Sequence, residues 1–171
     1  MGAVVGPGFP VGCPIVGFGL GCRRLRDRGL RSPRSRLNGN GAFLLDPAIL
    51  LLLVEDEALI GTMLEETLTD EGFELVIAKN GAEAMAELAT DAARFRSVVT
   101  DIDLGAGPNG WEVARHAREI VPTMPVVYMS GASAADWAAH GVPKSVMVPK
   151  PFVVAQIITA ITTLMNEADS H

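Results

Sequence analysis

The stretch ILLLLVEDE, residues 49–57, decides how the chain is read. Six apolar residues, Ile49 to Val54, run without a polar break and then stop at three carboxylates, Glu55, Asp56 and Glu57. A strand with one wet face alternates apolar and polar side chains, whereas an unbroken apolar run suits a parallel strand covered on both faces. The residues that follow change period. Leu59, Ile60, Met63, Leu64 and Leu68 recur at helical spacing over 58–69, and Asp70-Glu71-Gly72 supplies the stop.

The same alternation repeats to the end of the chain. Strands are predicted at 73–78, 97–100, 125–129 and 145–148, and helices at 82–88, 111–121, 132–139 and 152–166. Asn80-Gly81, the loop 105–110, Ser130-Gly131 and Pro149-Lys150-Pro151 punctuate them. Five strands alternating with five helices imply an α/β, doubly wound parallel sheet with helices on both faces. Ligands of such sheets sit beyond the carboxyl ends of the strands, near the topological switch point.

Residues 1–46 read differently. Their first 21 residues are rich in Gly, Val and Pro without period, and an arginine run, CRRLRDRGLRSPRSRLNGNG, follows. The segment carries 7 basic and 2 acidic side chains, while 47–171 carries 7 basic and 18 acidic, so +5 and −11 make up the net −6. The expectation is a disordered extension, or sequence upstream of the true start, ahead of one acidic domain at 47–171. An arginine-rich arm for anionic lipid or nucleic acid is the sharper alternative for this segment. A signal peptide would place its positive charge before the apolar stretch, whereas here it comes after. An acidic domain repels nucleic acid, so direct DNA binding by it is not expected. Cys13 and Cys22 both lie in the extension, which leaves the domain without disulfides or thiolate metal sites. No run of about 18 apolar residues offers a membrane span, and a cytoplasmic location is expected.

The strand ends carry chemistry. Strand one leads into Glu55 and Asp56, strand three into Asp101, strand four into Ser130, and strand five ends near Lys150. Taken singly, each has an ordinary explanation: acidic residues complement a helix N-terminus, and Asp, Ser-Gly and Lys-Pro are common in turns. Together they put three carboxylates, a hydroxyl and an ammonium on one rim. Clustered carboxylates repel one another unless a cation neutralises them, and all-oxygen ligands suit Mg²⁺ or Mn²⁺. A carboxylate can act as nucleophile toward phosphorus, and a lysine is a point charge for a phosphate oxygen.

The segments LLLVEDE, VVTDIDLGAGPNGW, PVVYMSG and VPKPF together resemble the receiver domain of bacterial response regulators over residues 48–168. The resemblance implies a flavodoxin-like sheet of order 2-1-3-4-5. It implies that Asp101 is the phosphoacceptor and that Glu55 and Asp56 hold Mg²⁺ with it. Asp103 would add a backbone carbonyl to the metal, Ser130 would be the switch hydroxyl and Lys150 the phosphate-pairing lysine. A cis Lys150-Pro151 bond, a histidine kinase or histidine phosphotransfer protein as donor, and a non-enzymatic role also follow from it. Two departures stand out. Receivers usually carry Tyr or Phe at the switch position three residues before the lysine, where this chain has Met147. Asp103 is also acidic two residues past the acceptor, where it can alter phosphoryl lifetime or metal affinity.

The reading at this level is a stand-alone receiver that signals through protein contacts, since little sequence follows the last helix. Leu59, Ile60 and Met63 are candidates for the surface that meets the phosphodonor, with core packing as the alternative; Trp111 and Trp137 are expected to pack. A degenerate receiver that only binds partners competes, but its mark is a lost acceptor, metal or lysine residue, and none is lost. Asp101-Ile102-Asp103 also resembles the nucleophile motif of haloacid-dehalogenase-type phosphatases. That motif normally sits on the first strand and needs a longer chain behind it than the 68 residues that follow Asp103.

Overall fold

The computed structural model describes residues 48–170 in full and, of Ser35–Leu37 and Phe43–Leu45, the backbone alone. Those two short strands pair antiparallel, with Ser35 opposite Leu45. The rest of the segment expected to be disordered, including Cys13 and Cys22, lies outside the described residues.

The domain is built from β1 (Ile49–Val54), α1 (Ala58–Asp70), β2 (Phe73–Ala78), α2 (Gly81–Asp91), β3 (Ser97–Asp101), α3 (Gly110–Ile120), β4 (Val126–Ser130), α4 (Trp137–His140), β5 (Val146–Pro149) and α5 (Val154–Asp169). The strands form one parallel sheet of order β2-β1-β3-β4-β5, the order the resemblance implied. The chain turns outward from β1 to β2 and then crosses to β3 on the other side of β1. The switch point therefore lies between β1 and β3. Register aligns the strand ends there: Val54 pairs with Thr100, Asp101 with Met129, and Ser130 with Pro149.

Each unbroken apolar run feeds two cores, because successive strand residues point to opposite faces. Leu51, Leu53, Val99, Val127 and Met129 pack with α1 and α5. Leu52, Val54, Val98, Val126 and Tyr128 pack with α2 and α3. Leu51, Leu52 and Leu53 are all fully buried, and removing such a side chain to alanine costs about 2–5 kcal/mol.

Three helices depart from their predicted bounds. α2 runs past residue 88 into a 3-10 turn, Ala92–Arg94, because the apolar stripe of Ala84 and Leu88 continues through Ala92 and Phe95, all buried. α5 begins at Val154, not 152. Val153 is still extended and gives its N–H to the Gln156 side chain at 3.0 Å, which starts the helix there. The single helix expected over 132–139 is a 3-10 turn, Ser133–Asp136, followed by the four-residue α4. Its alanines favour helix, but none of these residues is buried. Helices in proteins draw most of their stability from packing an apolar face, and this one has little to pack.

Candidate functional site

Asp101 is the last residue of β3 and is 4% exposed. Oδ1 accepts the Asp103 N–H at 3.2 Å, and Oδ2 lies 2.5 Å from the Lys150 Nζ. Glu55, which follows β1, is 2% exposed. Its Oε2 accepts from the same Nζ at 3.2 Å, and its Oε1 accepts the Glu57 N–H at 3.2 Å. Asp56 is exposed, yet carboxylate oxygens of Glu55, Asp56 and Asp101 lie within 4.8 Å of one another. The exposed Glu57 carboxylate stands at the edge, 4.0 Å from the ammonium.

One ammonium thus faces three carboxylates, and the imbalance is visible in the protonation energetics. Burial pushes the Glu55 carboxyl above its ordinary pKa, the charge of Asp101 pushes it further, and Lys150 only partly opposes them. Burial works against the Lys150 ammonium, but its hydrogen bond to Asp101 and the charges of Asp101 and Glu55 outweigh that and hold its pKa above the ordinary value. Lys150 therefore stays charged through the neutral range. A cluster of hard carboxylate oxygens with surplus negative charge and one open side fits a small divalent cation.

The remaining predicted residues fall as follows. Ser130 ends β4, fully buried; its carbonyl accepts the Lys150 N–H and its hydroxyl accepts the Ser133 N–H, each at 2.8 Å. The Lys150-Pro151 bond is cis. Asp103 is exposed, and its Oδ1 accepts weakly from the Ser133 hydroxyl at 3.4 Å. Met147 pairs with Tyr128 in the ladder and packs, half-buried, against the α2–α3 core. Trp111 is a packing residue, its ring 4.6 Å from that of Tyr128. Trp137 is 37% exposed and donates its Nε1–H to the Ser145 hydroxyl at 3.0 Å. Of the three α1 candidates, Ile60 packs against the α1–α5 core, while Leu59 and Met63 are 87% and 43% exposed.

Two residues around Asp101 escaped the sequence reading. The buried Thr100 hydroxyl donates to the Asp101 carbonyl at 2.7 Å. Gly110 opens α3 so close beneath that carbonyl that a Cβ there would sit 2.1 Å from it. A threonine in a strand and a glycine after Asn109 are both ordinary in sequence, so nothing marked them.

Known proteins share this architecture. Residues 51–162 match the family model described as response regulator receiver domain. A response regulator receiver protein from Sinorhizobium medicae is 48% identical, with a TM-score of 0.69 over 71% of this chain and 98% of that one. A receiver domain from Clostridium thermocellum, 19% identical with a TM-score of 0.65, shares the fold over 71% of this chain and 97% of its own. Among curated proteins, the transcriptional regulatory protein CusR of Escherichia coli is 28% identical over 118 residues, covering 68% of this chain and 51% of CusR. The probable transcriptional regulatory protein SilR of Salmonella typhimurium is also 28% identical, over 70% of this chain and 52% of its own. The chain spans about half the length of these curated relatives. With its matched fold, its acidic strand ends and its partnered lysine, the chain belongs to the response regulator receiver domain family of two-component systems.

Proposed function

We propose that the domain accepts a phosphoryl group on Asp101 from a histidine kinase or a histidine phosphotransfer protein, and passes the signal on by protein contacts. The observation that carries this reading is the contact of Lys150 with Asp101 inside the cluster of Glu55, Asp56 and Asp101. A carboxylate oxygen of Asp101 attacks phosphorus, and the P–N bond of the phosphohistidine breaks. Its electron pair returns to the imidazole, which takes up a proton as it leaves. The reaction asks mostly for positioning and charge neutralisation. Lys150 turns from the carboxylate to a phosphoryl oxygen. Mg²⁺ or Mn²⁺ held by Glu55, Asp56, Asp101 and the Asp103 carbonyl would screen the incoming charge. Ser130 donates its hydroxyl to another phosphoryl oxygen on letting go of the Ser133 N–H.

At position 147 the flexible thioether can repack, but no ring is there to rotate in or out. The exposed Leu59 and Met63 of α1 offer the phosphodonor an apolar docking face. Among the described residues no helix is long and apolar enough to cross a membrane, in keeping with a cytoplasmic partner.

The test is transfer of labelled phosphoryl from autophosphorylated histidine kinases to wild type and Asp101→Asn. Wild type takes the label and the variant does not; label retained by the variant overturns the assignment. Catalytic turnover of a small phosphate ester would instead favour the phosphatase reading of Asp101 and Asp103. A spectrum unmoved by fluoroberyllate with Mg²⁺ would favour a receiver that only binds partners.

A further inference from the structure

The segment after the acceptor is bonded group by group. The Asp101 carbonyl accepts from Thr100 Oγ1 at 2.7 Å. The Ile102 N–H goes to the Met129 carbonyl, and the Ile102 carbonyl accepts the Gly110 N–H, each at 3.0 Å. The Asp103 N–H goes back to the Asp101 side chain at 3.2 Å. The next group along is the Asp103 carbonyl, the one proposed for the cation.

The first two of these peptide groups lie at the end of the strand, where the ladder no longer provides for all of them. A buried carbonyl has to be satisfied somewhere, and here the preceding residue's own hydroxyl does it. On the same face of the sheet α3 closes in. A Cβ on Gly110 would fall 2.1 Å from the Asp101 oxygen and 2.8 Å from the Ile102 Cα, so the helix reaches this distance only because the residue has no side chain. The Asn109–Glu112 capping box fixes where the helix starts: Asn109 accepts the Glu112 N–H at 3.0 Å, and Glu112 accepts the Asn109 N–H at 2.9 Å.

We infer that Thr100 and Gly110 are positioning residues of the phosphoacceptor, both fixing the Asp101–Ile102 peptide from the α3 side of the sheet so that the carboxylate and the Asp103 carbonyl are held ready for the cation and the phosphoryl group. This rests on the proposed phosphoryl transfer. Neither residue touches the reacting atoms; both act through the backbone. Preorganised groups avoid reorganisation during the reaction, and a shift of about 1 Å in a reacting group can cost on the order of 100-fold in rate.

The experiment compares wild type, Thr100→Val and Thr100→Ser. It measures the rate of phosphorylation by acetyl phosphate at saturating Mg²⁺, the Mg²⁺ dissociation constant from fluorescence, and the thermal midpoint. Valine keeps the shape and loses the hydroxyl. It is expected to slow phosphorylation about tenfold and to weaken Mg²⁺ binding, while the domain stays folded. Serine restores the donor and is expected to return both values to within about twofold of wild type. Gly110→Ala, if it folds, is expected to lose at least as much rate as Thr100→Val; if it does not fold, the threonine pair decides alone. A Thr100→Val protein that is less stable but phosphorylates at the wild-type rate makes the residue merely structural and overturns the inference. A wild type that takes no phosphoryl group from acetyl phosphate overturns the proposed function, and the positioning role with it.

Discussion

Two connections leave neighbouring strands at the same rim and could hardly differ more. After β3 the chain enters α3, eleven residues long, capped by Asn109 and Glu112, with Gly110, Trp111, Val113, Ala114 and Ala117 buried. After β4 it enters a 3-10 turn and the four-residue α4, with no buried residue in either. The first connection follows Asp101, the proposed acceptor, and the second follows Ser130. Local opening follows packing, and segments with few buried apolar contacts open first. Under the proposed function, the carboxylate that is to stay in place leads into a well-anchored helix, and the hydroxyl that is to move leads into the least-anchored one. Under the proposed function, a charge arriving at Asp101 would be read through the loop after β4, in a chain whose Met147 stands where the family resemblance implies an aromatic ring.

Substitutions can break this contrast. The largest difference is expected between the two tryptophans. Trp111→Ala empties a site packed on Tyr128 and should cost about 3–5 kcal/mol in denaturant unfolding. Trp137→Ala removes a half-exposed ring and one hydrogen bond, and should cost about 1 kcal/mol. Equal losses would mean that α4 is anchored as firmly as α3. Next in size, Asn109→Ala removes the cap of α3 and should cost about 1 kcal/mol in the same experiment. Asp103→Asn, which also alters the contact with Ser133, should change the rate of dephosphorylation without altering stability measurably. Identical decay of the two phosphorylated proteins would remove Asp103 from the account.

The smallest effect concerns pH. The folded-state pKa of Glu55 is raised above 4.5 by burial and by Asp101. Its contribution to folding stability is therefore fully present below about pH 4.5 and is lost as pH rises through the raised value. In the absence of divalent cation, Glu55→Gln should stabilise the protein at neutral pH, and the gain should shrink on acidification. Wild-type Mg²⁺ affinity should fall as pH drops through the same window, because the proton competes with the cation. A Mg²⁺ affinity that does not change across the window would show that Glu55 does not bind it.

How much of this was legible in the sequence follows the same contrast. The apolar runs that end in Glu55 and Asp101 announced a parallel sheet, since only strands covered on both faces read that way. The rim residues were visible because each stands immediately beyond such a run. α4 was misjudged because an alanine-rich segment carries helix propensity but no record of whether a core awaits it. Thr100 and Gly110 were invisible for a related reason. Their roles lie in a carbonyl that needs a donor and in a close approach of backbone to backbone, and neither leaves a pattern in residue types. The resting bond of Ser130 to Ser133, on the loosely held side, was equally beyond a one-dimensional reading.

The central claim is that Asp101, and no other carboxylate of the rim, becomes the acyl phosphate. The most direct measurement phosphorylates the protein with Mg²⁺ and acetyl phosphate, traps the acyl phosphate by borohydride reduction, and sequences the peptides by mass spectrometry. Conversion of residue 101 to homoserine, with Glu55, Asp56 and Asp103 untouched, is the expected result. Reduction at any of those three with residue 101 intact would contradict it.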